Sequence, residues 1–548
     1  MPEDYGSKFT DEETKRLTEK IDKVYREAQA DIQRKMDDFN HKYEAKDKKY
    51  REMLSNGEIT KEQYQSWQRG QVFQGKEWQA KRDQIESVIS NANHISMDII
   101  NNGAPSVFGE NMNFISFDIE KKMKVDMGFT LVDKNTVTRL IKDDPDLLPK
   151  WKINEPKDYM WNKQKLGNCV TQGIIQGESI DKIGKRISEN LSSQNKNHMM
   201  TFARTAMTGA QNAGRQEQME RAEKLGIKIE KQWMATLDSY TRDSHAHIDG
   251  ETVPLKETFS NDCMYPGDPG GPPAEVYNCR CTMVSEIVDS KSFYSRRDND
   301  SGKVINKLNS DTVANITYED WKIARKLTDT AKNVDDREHV TDILKEIAGM
   351  GGGTINYELN GHQLTDFKYK SFDSAFRKFY TDVKMTAEKN NVQLTNSQMY
   401  RLHDEYANKT TDALRFTNIS PLNTYMSDYH TIMDGLQERG FEIIQVKNTL
   451  CEINVPYRGV NTLIQTPKGY TFELQFHTPQ SIQIKEVINH PMYEVARKLP
   501  DGDPEKERLN EIMKNNMNSI VAPEGIETIK TFKYEKTFGP DKVNQFGW

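Results

Sequence analysis

Apolar residues recur at spacings of three and four from Leu17 through Ile21, Val24, Tyr25, Ala28, Ile32, Met36 and Phe39, the repeat of a helix with one buried face. The pattern predicts a single long helix over 11–54, opened by a Thr10-x-x-Glu13 capping box and broken at Ser55-Asn56-Gly57. A second box, Thr60-x-x-Gln63, opens another helix that carries Tyr64, Trp67, Trp78, Ile85, Val88 and Ile89. Two long, charged, amphipathic helices in hairpin order suit an assembly or docking element, and equally a bundle with its own core. Residues 100–190 are mixed, with Gly173, Gly177 and Gly184 punctuating short helical segments, and 197–225 returns to a helix that includes Ala203-Arg204-Thr205.

Far down the chain the period changes to two. Residues 460–466 and 470–477 are rich in β-branched and aromatic types, and Thr466-Pro467-Lys468-Gly469 between them suits a type I turn, predicting a β-hairpin. On its second strand Tyr470, Phe472, Leu474 and Phe476 share one face, while Thr471, Glu473, Gln475 and His477 share the other. A row holding a carboxylate, an amide and an imidazole is either a solvated sheet face or the floor of a site.

Composition narrows the class. The chain has 548 residues, 29% charged and 35% hydrophobic, a length that predicts about two to four domains. A net charge of −7 gives no global drive toward nucleic acid, so any anion site is a local basic cluster. No apolar run approaches a membrane span, and Met1-Pro2-Glu3-Asp4-Tyr5-Gly6 lacks the basic and apolar regions of a signal peptide. Five cysteines in so long a chain do not make a disulfide framework, which points to a reducing cytoplasm.

Phosphate binding needs fixed positive charge and hydrogen-bond donors. Lys368 and Lys370 alternate on a short predicted strand, and Ser374 and Lys378 lie one turn apart on the predicted helix that follows. This corner suits phosphate, or a solvated basic face. Asp412 opens a predicted strand, where alone it reads best as a strand-edge charge, and Glu473 sits on the polar face just described; both offer the carboxylate oxygens that Mg²⁺ prefers wherever pyrophosphate chemistry calls for it. Tyr457 opens the hairpin, where an aromatic ring can stack on a base, and Gly459 allows close backbone approach.

The order Lys-x-Lys-Ser-x-x-Ser-x-x-Arg-Lys (368–378), Asp412-x-x-Arg415, Tyr457-Arg458-Gly459 and Glu473-x-Gln475-x-x-Thr478 resembles the synthetase domain of the RelA/SpoT family over about residues 335–500. The resemblance implies that Lys368, Lys370, Ser374, Arg377, Lys378 and Arg415 bind ATP. It implies a catalytic role for Asp412, Glu473 and Gln475, with Asp412 a metal ligand and Glu473 a ligand or the base for the attacking hydroxyl. It implies that Tyr457, Arg458, Gly459, Asn461 and His477 face the acceptor. Asn461 stands where the family commonly has His, Phe476-His477 replaces an apolar-Arg pair, and Lys368 stands where Arg is frequent. These departures leave the acceptor open: a guanine nucleotide, an adenine nucleotide or the 3′ end of tRNA. His403-Asp404 lacks partner histidines at hydrolase spacing, and too few residues follow the synthetase-like core for the family's regulatory domains.

Another block runs Trp233-Met234-Ala235-Thr236-Leu237-Asp238, Thr241-Arg242-Asp243-Ser244-His245-Ala246-His247, Asp249-Gly250, Tyr265-Pro266-Gly267-Asp268-Pro269, then Asn278-Cys279-Arg280-Cys281. It resembles the phage Mu F type of head morphogenesis protein over roughly residues 90–290. The resemblance implies a few copies per virion near the portal, with portal and capsid proteins as partners. Cys279 and Cys281, with His245, His247 and Cys263, have the chemistry of tetrahedral zinc ligands, or are reduced thiols in a loop. Residues 287–310, polar and containing Arg296-Arg297, read as a linker open to proteases or as an ordered surface loop.

Together these readings predict a multidomain chain. An α-helical docking region spans 1–105, a mixed α/β capsid-associated domain 106–290 and a linker 291–330. Residues 331–548 form an α+β nucleotidyltransferase-like domain with a mixed sheet. The function expected is that of a phage minor head protein, in the virion and then the bacterial cytoplasm. It carries a toxin that uses Mg²⁺ and ATP to pyrophosphorylate a nucleotide or tRNA. A neutralising antitoxin or immunity protein and no membrane partner are expected with it. The alternatives are a purely structural capsid protein with an inactive nucleotide-binding domain, or a different transferase toxin. Glu505-Lys506-Glu507 is the one Glu-x-Glu near the end that suits an ADP-ribosyltransferase.

Overall fold

The computed structural model describes residues 4–123, 127–288, 317–351, 410–496 and 502–532, with shorter stretches at 354–355, 358–359, 362–363, 368–370, 374–375 and 499–500. The chain divides into two compact units, residues 1–125 with 132–305, and residues 126–131 with 306–548.

In the first unit, α1 (Tyr5–His41) starts earlier than its pattern predicts. Asp4 is the N-cap, accepting from the Ser7 amide at 2.9 Å. Thr10 lies inside the helix and donates to the Gly6 carbonyl at 2.9 Å, while Glu13 pairs with Arg16, so the expected box is no cap. The predicted single helix is two. It breaks at Lys42-Tyr43, just after the apolar repeat ends at Phe39, and α2 (Glu44–Ser55) buries only Asp47. The second box does cap α3 (Lys61–Trp67): the Gln63 amide donates to Thr60 Oγ1 and the Thr60 amide to Gln63 Oε1. A π-helical turn at Gln68–Val72 then separates α3 from α4 (Lys76–Met123).

α4 runs on through Pro105, so the boundary expected at 105/106 falls inside one helix. The region expected to hold short segments contains α5 (Lys134–Asp143), α6 (Glu155–Gln176) and α7 (Ile180–Lys224). Of the punctuating glycines only Gly177 ends a helix, at φ +72°; Gly173 and Gly184 sit within helices, closely met by Ile183 and Met36. The long helices α1, α4 and α7 share a core that includes Leu17, Ile21, Ile100, Phe108, Met207 and Ala210. A Cβ at Gly214 would sit 2.2 Å from the Phe108 carbonyl oxygen, so this α4–α7 approach requires glycine. Buried Arg215 donates to Asp4, Asn111 and the Met283 carbonyl, tying α7 to the start of α1, to α4 and to the sheet that follows. That sheet is antiparallel, ordered β2-β1-β3 from β1 (Ile229–Met234), β2 (Thr252–Pro254) and β3 (Thr282–Ile287). The short helices α8 (Asp243–His247) and α9 (Pro273–Val276) lie in its connections.

In the second unit the first described helix is α10 (Tyr318–Glu338), so part of the expected linker is helix; Arg296 and Arg297 lie outside the described residues. After α11 (Val340–Gly351) comes a mixed five-stranded sheet ordered β4-β7-β10-β9-β8. Its strands are β4 (Thr354–Ile355), β7 (Arg415–Ile419), β8 (Glu442–Asn448), β9 (Val460–Gln465) and β10 (Thr471–His477). A separate antiparallel pair is formed by β5 (Glu358–Leu359) and β6 (His362–Gln363). β10 pairs parallel with β7 and antiparallel with β9. The turn at 466–469 closes with the Gly469 amide on the Thr466 carbonyl at 2.8 Å. Phe416, Ile464, Phe472, Leu474 and Phe476 form one buried face with residues of α11 and α12 (Tyr425–Glu438). Among the described residues, no helix is long and apolar enough to cross a membrane.

Candidate functional site

The opposite face of this sheet holds the polar row. Gln475 stands opposite Asn461 across the β9–β10 ladder, and Glu473 opposite Arg415 across the parallel pair. Asn461 Nδ2 donates to Glu473 Oε1, and Gln475 Nε2 donates to the same oxygen at 3.0 Å. Glu473 is therefore oriented by two neutral amides, which fix its geometry without cancelling its charge. Lys485 extends the row and was not foreseen. After β10, α13 (Pro479–Gln483) passes into a π-helical turn at Ile484–Asn489, which brings Lys485 Nζ to Gln475 Oε1 at 2.9 Å and Glu486 Oε1 at 2.7 Å. The only sequence signal was a charged pair soon after the strand.

The ends of the row differ from the alternation. Thr471 and His477 are buried, and only Glu473 and Gln475 remain half-exposed. His477 Nε2 lies 3.1 Å from the Tyr457 hydroxyl and Nδ1 lies 2.9 Å from Ser481 Oγ. Burial, helped by nearby Lys485, holds the imidazole's pKa well below its ordinary value. His477 is thus a neutral internal partner of Tyr457, not an exposed acceptor contact. Tyr457 is half-buried, with Lys485 Nζ 5.9 Å from its ring centre. A Cβ at Gly459 would sit 2.6 Å from the Tyr457 hydroxyl, so this glycine lets the Tyr–His pair close against the backbone. Arg458 corrects its expected role: it is 4% exposed and donates to the Leu450, Met517 and Ile520 carbonyls. Its guanidinium is committed to these carbonyls and holds chain segments together.

Segment 368–370 runs beside the start of β7, through the Lys370 amide to the Ala413 carbonyl and the Arg415 amide to the Lys368 carbonyl. The two lysines reach different carboxylates. Lys368 Nζ lies 2.7 Å from Asp335 Oδ2, which also accepts from the Tyr369 hydroxyl. Burial opposes the charge of Asp335, but Lys368, Thr341 and Tyr369 outweigh it and lower its pKa. Asp335, 5% exposed on α10, was another residue the sequence did not single out. Lys370 Nζ lies 2.7 Å from Asp412 Oδ2, pairing the expected phosphate cation with the expected metal ligand. Ser374 is half-buried nearby in sequence, while Arg377 and Lys378 lie outside the described residues, as do His403 and Asp404.

The first unit holds a different cluster. His245, Cys279 and Cys281 are buried, with one ligand atom from each within 4.8 Å of the others. His245 Nδ1 is 3.4 Å from Cys281 Sγ and 3.8 Å from Cys279 Sγ. Its Nε2 lies 2.9 Å from Glu275 Oε2, off the line of a hydrogen bond. A bond shared with Cys279, and another with His245, hold the Cys281 thiol below its usual range; that shared bond and burial push Cys279 up. Two expected members are elsewhere. His247 is exposed, and Cys263 is buried against Gly271, outside the three-residue group.

Residues 164–284 match the family described as "Phage Mu protein F like protein". The chain is 22% identical over 325 residues to minor head protein GP7 of Bacillus phage SPP1, covering 58% of this chain and 96% of that protein. It is 33% identical over 160 residues to NAD(+)–arginine ADP-ribosyltransferase EFV of Enterococcus faecalis, covering 29% of this chain and 31% of that one. The chain thus spans about a third of the Enterococcus protein's length. Similarity to phage minor head proteins therefore holds for a large part of the chain. Two solved structures are loosely similar. One is the Type VI effector Tas1 with its immunity protein: 18% identity, 37% of this chain, 95% of that one, TM-score 0.23. The other is small alarmone synthetase 1 of Bacillus subtilis with its product pppGpp: 10%, 40%, 94% and 0.22. At such scores neither bears on the chemistry of this chain.

Proposed function

We propose that this is a phage minor head protein whose second unit transfers pyrophosphate from ATP to a ribose hydroxyl of a nucleotide or of a tRNA 3′ end. The observation that carries the reading is the oriented carboxylate of Glu473, held by Asn461 and Gln475 with Lys485 beyond them and Arg415 opposite in the neighbouring strand. A carboxylate fixed by neutral donors suits a base that takes a proton from the attacking hydroxyl, or an oxygen ligand of Mg²⁺. Asp412, now paired with Lys370, supplies a second carboxylate that would hold Mg²⁺, and the Lys370 ammonium would hold phosphate. Bound Mg²⁺ would neutralise charge on the phosphates. Lys370, Arg415 and Lys485 are the described cations that suit the donor phosphates, and Tyr457 is the ring that suits the acceptor base.

In this reading the first unit docks among portal and capsid proteins, and the virion carries the chain toward a new host's cytoplasm. An enzyme of this type stops growth, so an immunity protein belongs with it. The test is to incubate the full chain with γ-labelled ATP and Mg²⁺ and to offer each ribonucleotide and bulk tRNA. Label on one acceptor class, lost in Glu473→Gln, is the expected outcome; label on none sinks the reading. The named activity of the Enterococcus relative supports ADP-ribose transfer as a second reading. A parallel reaction with labelled NAD⁺ separates the two.

A further inference from the structure

We propose that His245 Nδ1 and the sulfurs of Cys279 and Cys281 bind one Zn²⁺ ion that fastens the loop region of the first unit. Tetrahedral zinc, with Zn–S of about 2.3 Å and Zn–N of about 2.0 Å, separates sulfur from nitrogen by about 3.5 Å. The observed separations of 3.4 and 3.8 Å bracket that value. A single ring nitrogen has one lone pair or one proton, so it satisfies one sulfur well and not two. A metal ion between them satisfies all three atoms.

The surroundings point the same way. Glu275 Oε2, 2.9 Å from Nε2, is a carboxylate on the far side of the imidazole. Its negative charge beside Nε2, though out of line for a hydrogen bond, favours a proton on that nitrogen and leaves the Nδ1 lone pair to the sulfurs. Ser244 Oγ donates to the same carboxylate oxygen at 2.9 Å and steadies it. Trp233 meets His245 edge to face at 5.2 Å, and Phe259 and Val276 complete an apolar wall. The metal would also join parts of the chain that share little regular structure. His245 is on α8, Glu275 on α9, and the two cysteines lead into β3. Between β1 and β3 the described elements are two helices of five and four residues and one three-residue strand, so a metal link adds stability that packing alone supplies weakly. Binding releases the two thiol protons and changes no oxidation state.

The experiment uses the full chain, purified without chelator. Metal analysis should find about one zinc per chain, and X-ray absorption should find two sulfurs in its first shell at about 2.3 Å with lighter ligands at about 2.0 Å. Cys279→Ser with Cys281→Ser should lose the metal, while Cys263→Ala should keep it, because Cys263 lies outside the group. Metal-free fresh protein, a first shell without sulfur, or full zinc retention by the double variant each overturns the site. Should the double variant aggregate, the wild-type stoichiometry and first shell still decide.

Discussion

The Tyr457 hydroxyl lies 3.1 Å from His477 Nε2, and the two rings meet edge to face at 5.6 Å. The pair spans twenty positions of sequence and fixes the aromatic ring at the entrance of the hairpin. His477 thus acts by positioning the Tyr457 ring. Stacking on a base is worth roughly 1–3 kcal/mol. Tyr457→Ala should raise the acceptor KM by about one to two orders of magnitude, since 1.4 kcal/mol is about tenfold. The ATP KM should hardly change. Lys370→Ala should show the reverse, with ATP weakened first. Steady-state kinetics on both substrates separates these roles; equal loss of both in Tyr457→Ala would put the ring in the donor pocket or the core.

The same histidine makes stability depend on pH. Its folded pKa is depressed, first by burial and then by Lys485, below the ordinary 6.5. The unfolded chain thus binds one more proton below pH 6.5. Stability is fully present above that pH and falls as pH drops toward the folded pKa, by up to about 1.4 kcal/mol per pH unit. Urea unfolding of wild type and His477→Gln at pH 7.5 and 5.5 measures this. The variant should lose less stability between the two conditions, and identical losses would assign the dependence to other groups.

What was legible in the sequence depended on where the partners lie. The α3 cap needed only residues three apart and was visible, as was the strand alternation that buries Phe472, Leu474 and Phe476. The break at Lys42-Tyr43 was hidden because the charged pattern is compatible with continued helix on both sides. The Thr10 box failed because the helix is already capped further upstream by Asp4, a residue that Arg215 also holds. His477 looked exposed because its cover comes from Tyr457 and Ser481, and spacing along one strand cannot reveal a lid. Lys485 escaped because a π-helical turn, not a repeat, aims it. The cysteine cluster was half legible: Cys279 and Cys281 announce themselves, whereas choosing His245 over His247 needs the helix face.

Catalysis should fail without loss of fold in Glu473→Gln. The replacement keeps an acceptor oxygen for the amides of Asn461 and Gln475, so the face retains its bonds while losing its charge. Turnover should fall by at least two orders of magnitude, the usual contribution of a positioned acid or base. Far-UV circular dichroism and urea midpoints should match wild type. In a bacterial host, expression of the full chain should arrest growth, and Glu473→Gln or Asp412→Asn should relieve it. Arrest by both variants equal to that of wild type would point to a non-enzymatic cause.

Arg458 supplies the contrast, a residue whose loss should cost stability and not acceptor affinity. Its guanidinium donates to the Leu450 carbonyl eight positions back and to the Met517 and Ile520 carbonyls 59 and 62 positions ahead. Met517 and Ile520 also belong to the core of the second unit. Arg458→Met preserves much of the volume but takes this donor from three buried carbonyls; the Met517 carbonyl keeps the Ile520 amide at 3.2 Å, and each of the other two left unsatisfied costs about 1–3 kcal/mol. Removing the buried charge recovers part of that, because burial already disfavours it and lowers its pKa. The net expectation is a loss of about 3 kcal/mol in the unfolding of the second unit, read as a lower urea midpoint. Below that midpoint the acceptor KM should stay within twofold of wild type. Arg458→Lys should recover only part of the loss, since one ammonium cannot reproduce the planar fork. A variant with wild-type stability and a tenfold higher acceptor KM would return Arg458 to the binding site and show that its carbonyl bonds give way when substrate arrives.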